Sequence, residues 1–261
     1  MRSLSIAATG MLAQQLNVEV ISNNIANLNT TAFKGQRAEF QDLLYQNERN
    51  VGANSSDSGT LVPVGVQIGT GVKAAAVYRI STQGNLVNTN NALDLAVQGR
   101  GFFQIEMPDG TTAYSRAGSF QLSSTGEFVT ADGYVVQPGI TLPQNTINVT
   151  VNAVGQVLAQ VSGQIQPQNV GQLQLANFPN EAGLQLQGNN LLTETPASGA
   201  PVTGTPGSTD FGSIQQGFLE TSNVNIVSEI TNLITAQRAY EMNSKVISTS
   251  DQMMQTLSQI Q

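Results

Sequence analysis

Two apolar rows with a period of seven, one at each end of the chain, constrain this sequence most. Near the N-terminus, Leu4, Met11, Val18 and Ile25 recur at that spacing. Near the C-terminus, Ile226, Leu233, Tyr240, Ile247 and Met254 do the same, flanked by Ala239, Val246, Met253 and Ile260. A seven-residue repeat keeps one face of a helix against a partner helix; on a strand, successive members would point to opposite faces. The spacing predicts a helix from about residue 3 to 30, roughly 40 Å long, and a second one of roughly 55 Å after Asn223 or Asn225. Either asparagine suits the N-cap of the second helix. Both helices must bury a stripe, so the simplest packing pairs them antiparallel. The stripes are wider than one partner covers, which predicts self-association of many copies.

The first helix carries an unusual second pattern. "ISNNIANLNTTAFKG", residues 21 to 35, places Asn23, Asn24, Asn27 and Asn29 beside Ile21, Ile25 and Leu28. Asparagine is a mediocre helix former, because its amide competes for nearby backbone groups. Between Ser3 and Phe33 the one charged residue is Glu19. A helix facing water normally carries charges on its outer face. The whole chain shares the trait: charged residues make up 10% of it, against about 25% in an average globular protein. Asn and Gln fill the gap, with 24 and 28 copies. Neutral amides tolerate the stacking of identical subunits, so Asn23, Asn24 and Asn27 join the two apolar rows as candidate interface residues. Gly10 costs about 1 kcal/mol against alanine in a helix interior and is read as a place of close helix approach or as simply tolerated.

The middle of the chain changes period. Residues 34 to 50 are mixed, with Phe40, Leu43, Leu44 and Tyr45 predicting a short helix. "NVGANSSDSGTLVPVG" reads as an extended excursion rich in Gly, Ser and Asn. Tyr45, Asn54, Leu61, Pro63 and Val66 are the residues through which this insert is expected to touch a neighbouring copy. From about 66 to 195 the alternation has period two, with Asp109-Gly110 and Asp132-Gly133 as hairpin signals. Residues 195 to 212, rich in Pro, Gly, Ser and Thr, read as a connection. The expected fold is α+β: long N- and C-terminal helices paired in a coiled-coil-like domain, with a central all-β domain of short strands. Its parts are an N-terminal helical part (1–45), a linker or insert (46–73), an all-β outer domain (74–195), a return linker (196–220) and a C-terminal helix (221–261).

Composition excludes much chemistry. The chain has no Cys and no His, so it offers neither thiolate nor imidazole as nucleophile, base or metal ligand. Its net charge is −7 and its ten basic residues are spread from Arg2 to Lys245, which argues against nucleic-acid binding. No run approaches 18 unbroken apolar residues, so no helical membrane insertion is expected. The N-terminus lacks the pattern of a cleaved secretory signal. "GTG" at 69–71 and "GRG" at 99–101 do not extend into a phosphate-loop motif. Asp94, Glu106 and Asp109 suit turns better than paired catalytic carboxylates. No catalytic, cofactor or metal-ligating residue is predicted.

Three long segments resemble one family. "ISNNIANLNTTAFKGQRAEFQDLLY" (21–45) is similar to the N-terminal signature of bacterial flagellar rod and hook axial proteins. "ETSNVNIVSEITNLITAQRAYEMNSKVISTSDQMMQTL" (220–257) is similar to their C-terminal signature, and "QGNLVNTNNALDLAVQGRGFFQIEMPDGTTAYSRAGSF" (83–120) to their shared β segment. Within the family the insert at 45–73 is most like that of distal rod members. The resemblance implies a structural, non-catalytic subunit of the basal body that self-assembles into a helical tube and transmits torque. It also implies export through the flagellar type III apparatus without a cleaved signal peptide, into the periplasm. The implied neighbours are proximal rod proteins, the hook protein, and the surrounding peptidoglycan-associated and outer-membrane ring proteins. A proximal rod subunit is the alternative within the family. An envelope carbohydrate-binding or enzymatic β protein with helical oligomerisation tails is the alternative outside it.

Overall fold

The computed structural model describes residues 2–49 and 64–260. They separate into two compact units, one drawn from residues up to 26, from 36–78 and from 225 onward, the other from 27–35 and 79–224.

The first unit is built on two helices, α1 (Arg2–Ala26) and α2 (Ile226–Ile260), which pack along each other. Four strands accompany them: β1 (Gln36–Asp42), β2 (Tyr45–Arg49), β3 (Val66–Gly69) and β4 (Val72–Arg79). β1 pairs with β4, and β2 runs antiparallel to β3 with Tyr45 opposite Gly69. The short helix expected around Phe40–Tyr45 is therefore absent. Along β1 the half-buried Gln36, Ala38 and Phe40 alternate with the exposed Arg37, Glu39 and Gln41, a period of two that a helix cannot satisfy. The linker expected at 46–73 carries the β2–β3 hairpin, extended by Leu43 N–H to Gly71 O (2.8 Å) and Thr70 N–H to Leu44 O (3.2 Å).

Each helix ends for a local reason. α1 stops at Ala26, short of the expected residue 30, where Thr30 N–H returns to Asn27 O (3.2 Å) and the Thr30 hydroxyl donates to Asn27 Oδ1 (3.0 Å). Of the two candidate caps for α2, Asn225 does the work: its Oδ1 accepts from Val227 N–H (3.0 Å) and Ser228 N–H (3.2 Å). Asn223 instead accepts from Gly35 N–H (2.7 Å) and donates to Ile80 O (2.8 Å) and Thr82 O (3.0 Å).

The second unit holds every apolar cluster found among the described residues. Its main sheet runs in the order Gln185–Gly188, Leu191–Thr193, Thr112–Ser115, Phe102–Glu106, Val135–Val136, Phe128–Val129, Gln121–Leu122. Strand Phe102–Glu106 is buried on both faces, so its apolar residues run together instead of alternating. One face sends Phe103 edge-on into Phe120 (centroids 5.0 Å, 87°), within a cluster that includes Leu95, Phe128, Leu175 and Ile214. The other sends Phe102 towards Phe178, which also meets Tyr114 (4.8 Å, 84°). At the predicted hairpins only the glycines take positive φ, Gly110 at 79° and Gly133 at 85°.

The stretch 196–220, expected as a return linker, contains three strands, Val202–Gly204, Ser213–Gln216 and Phe218–Glu220. Each pairs antiparallel with an earlier strand, and Ile214 is 2% exposed. Its backbone groups thus enter ladders that the earlier strands would otherwise leave open. The start of this unit at Arg79, not at residue 74, follows from β4 pairing with β1.

A buried carboxylate ties these segments together. Glu220 is 2% exposed. Its Oε1 accepts from Lys34 Nζ and from Gly84 N–H (2.9 Å), and its Oε2 accepts from Arg116 Nε (2.8 Å). Arg116 also donates to the carbonyls of Val97 (2.9 Å), Gly99 and Gly101. Burial alone would raise the Glu220 pKa. The Arg116 charge, the hydrogen bonds from Lys34 and Arg116, and the Lys34 charge outweigh it and hold the carboxyl below the usual range. Gly84 is required beside this group, because a Cβ there would lie 2.0 Å from Thr221 O.

Candidate functional site

The helix pair is the place to look for assembly chemistry, because its own interior is thin. Its buried helical residues are Ala7, Ala13, Val20, Ile21 and Asn24 on α1, with Ala236 and Ser250 on α2. Most are small or polar.

Three contacts set the register of the seam. Ser250 Oγ donates to Ser3 Oγ (3.3 Å). Asn24 Nδ2 reaches Glu229 Oε2 (3.4 Å). Between them, a Cβ added to Gly10 would fall 2.9 Å from Asn243 Nδ2, so the two helices approach closely there. Each step of seven up α1 (Ser3, Gly10, Asn17, Asn24) matches a step of seven down α2 (Ser250, Asn243, Ala236, Glu229). The helices are therefore antiparallel, joined through a row of small and amide-bearing residues. Ala236, at 2% exposed, takes the remaining step of that register.

Asn24 closes the upper end of the seam. It is 3% exposed. Its Oδ1 accepts from Gln36 N–H (2.8 Å) while its Nδ2 donates to Gln36 O (2.8 Å). The side-chain amide thus pairs with the first residue of β1 as a neighbouring strand would.

This register places the apolar row of α1 one residue from the seam row, and that of α2 three residues from it. On α1, Leu4, Met11, Val18 and Ile25 are half-buried, as is Asn27, while Asn23 is exposed. On α2, Leu233 and Ile247 are half-buried; Ile226 (44%), Tyr240 (44%) and Met254 (41%) are exposed. The flanking Val246 (46%) and Met253 (55%) face outward. Val18 and Tyr240 come together in an open groove of about 360 Å³, beside Gln15, Glu19, Gln237 and Glu241. Val227, Ile230, Ile234 and Met242 add to the uncovered apolar surface of α2. In the insert, Tyr45 and Val66 are exposed on the β2–β3 hairpin with Leu44, whereas Asn54, Leu61 and Pro63 lie outside the described residues.

The reading from periodicity misses Ser3, Glu229, Ala236, Asn243 and Ser250, and of the two readings it left open for Gly10 the structure shows close helix approach. Their signal is the same spacing of seven, carried by residues that no hydropathy pattern selects. Among the described residues no group of three or more His, Cys, Asp or Glu gathers as a metal site, and no helix is long and apolar enough to cross a membrane.

Comparison with known proteins matches all three parts of the chain. Residues 4–34 match the flagella basal body rod protein model, residues 96–159 the flagellar hook protein FlgE/F/G D1 domain, and residues 215–260 the flagellar basal body rod FlgEFG protein C-terminal model. A flagellar basal-body rod protein FlgG of Caulobacter vibrioides is 60% identical over 100% of this chain and 99% of its own length. The FlgG of Agrobacterium fabrum is 55% identical over 99% and 98%. That of Bacillus subtilis is 38% identical over 98% of each.

Proposed function

Because the chain belongs to the flagellar basal-body rod protein family, we propose that its terminal helices are the surface through which copies build the rod. The chain is a structural axial subunit of the basal body, most like the FlgG members, and assembles with other rod and hook components. The relatives lend nothing to a catalytic or carbohydrate-binding reading.

In this proposal α1 and α2 line the wall of a helical tube, and the second unit makes lateral contacts. The tube is the distal rod, a stiff shaft that carries torque to the hook protein. Proximal rod proteins lie beneath it and the peptidoglycan-associated and outer-membrane ring proteins surround it. The type III export apparatus delivers the chain to the periplasm without removing a signal peptide. The insert, through Tyr45, Val66 and the intervening residues, reaches onto a neighbouring copy. The exposed Leu44 (86%), just before the insert, and Val64 (75%), within it, support that role.

One observation carries the proposal. α2 leaves Val227 70% and Met242 65% exposed in a unit whose own helical interior holds little beyond alanine, valine and isoleucine. Such a face is stable when identical copies cover it. Electron microscopy of concentrated protein and circular dichroism of dilute protein test it together. Straight tubes, with helix content rising on assembly, are expected. Discrete particles with unchanged helicity at every concentration would refute it.

A further inference from the structure

The second unit contains a cationic pocket that the structural role does not use. It encloses about 220 Å³ and is lined by Lys34, Arg79, Arg100, Arg116, Glu181 and Phe102, among others. Four of the chain's ten basic side chains meet there, in a protein of net charge −7.

The negative charges nearby are already committed. Glu220 engages Lys34 and Arg116, as described above, and Glu181 Oε1 pairs with Arg100 Nε (3.3 Å). Arg79 has no carboxylate within ion-pair distance among the described residues. Its guanidinium donates to the backbone carbonyl of Glu181 (2.7 Å), a neutral acceptor that leaves its charge uncompensated by an ion pair among the described residues. Four cations facing two carboxylates leave two positive charges in a partly enclosed space. Burial lowers the pKa of Arg79, and of Lys34 despite its partner, as expected where compensation is incomplete. Arg79 comes from the end of β4, Arg100 from the loop before Phe102 and Lys34 from the 27–35 segment, so the fold converges them from three parts of the chain.

We propose that this pocket is an oxyanion site that takes one carboxylate or phosphate-class group, held mainly by Arg79 with Lys34 and Arg100. A planar guanidinium matches two oxygens of such a group at once, which a water molecule cannot replace. Two sources offer this chemistry: a free inorganic anion, or a carboxylate of a second copy of the chain. Apart from these four cations and from Glu181 and Glu220, the sequence has fifteen acidic and six basic side chains, so acidic groups are plentiful on any neighbouring copy.

The test uses the full chain in dilute solution, which makes it independent of assembly. Inorganic phosphate is titrated at constant ionic strength while the backbone amide resonances of Ser81, Gln83, Gly99 and Arg100 are followed. Saturable shifts are expected in the native protein. Arg79→Gln should weaken them by about tenfold, the loss of one charge-assisted contact, and Arg79→Lys by less. Arg238→Gln, on α2, should leave them unchanged. Absence of saturable shifts, or equal affinity in Arg79→Gln with its core resonances intact, overturns the proposal. A second arm separates the sources. If a neighbour's carboxylate is the occupant, phosphate raises the critical concentration for assembly of the native chain but not of Arg79→Gln. If the occupant is a free anion, phosphate binds without raising it.

Discussion

Asn24 is joined to Gln36 through both ends of its amide, accepting from the backbone N–H and donating to the backbone carbonyl, each at 2.8 Å. A buried side chain thus stands in for a strand at the point where β1 begins. Truncating it leaves two backbone groups unsatisfied, at about 1–3 kcal/mol for such a group. Asn24→Ala should therefore speed hydrogen exchange at the Gln36 amide by roughly 5- to 150-fold, with far smaller changes at β2. Asn24→Asp keeps the acceptor and should preserve much of that protection. It loses the donor to Gln36 O and faces the Glu229 carboxylate, so it should weaken the helix pair instead.

Gly10 tests the register of the two helices. Leucine at this position must displace Asn243 or separate the helices, and overpacking costs about 1–3 kcal/mol. Gly10→Leu should raise the critical concentration for assembly by roughly 5- to 150-fold on that basis. Asn243→Ala removes the side chain that faces Gly10, so the double variant should recover part of the loss. Strict additivity of the two substitutions would contradict the seam described above.

The buried Glu220 makes a prediction about acid. Its folded pKa is depressed, so its contribution to stability is complete above the unfolded glutamate value, about 4.3. That contribution is lost as pH falls through the folded value beneath it. Glu220→Gln leaves Lys34 and Arg116 buried without a counter-charge and should cost about 3–5 kcal/mol at neutral pH. The penalty should shrink on acidification below the ordinary carboxylate range. Urea midpoints of the native and variant chains, measured across that range, check both statements.

Much of this architecture is legible in the residues, and the gaps have physical causes. Spacing of seven discloses the two terminal helices, because a long stripe can be presented to a partner in few ways. It does not disclose which neighbouring row faces that partner. Hydropathy selects Leu4, Met11, Val18 and Ile25, yet close approach favours the smaller row of Ser3 and Gly10, which lets the backbones come together. The apolar rows stay at the flanks. Phe40 and Leu43 illustrate another gap: a short apolar run fits helix and strand alike until its pairing partner, here β4, is known. The Lys34–Glu220–Arg116 cluster is least legible. Its members are separated in sequence by up to 186 positions and carry no local pattern.

The outward rows of α2 permit the sharpest separation between folding and assembly. Met242 is 65% exposed and Val227 70%, so neither contributes much to the packing of a single chain. A charge at either position is well solvated in the monomer, and surface substitutions of that kind usually change stability by no more than about 0.5 kcal/mol. Covered by a neighbouring copy, the same charge would be buried without a partner, at several kcal/mol per subunit. Met242→Asp should therefore leave the thermal transition of the second unit unchanged while abolishing tube formation by electron microscopy. Leu233→Asp differs, because Leu233 is half-buried already: it should lower helix content as well as block assembly. Tubes of normal length from Met242→Asp would show that this face of α2 remains in water, and the wall of the rod would then have to be built from another surface.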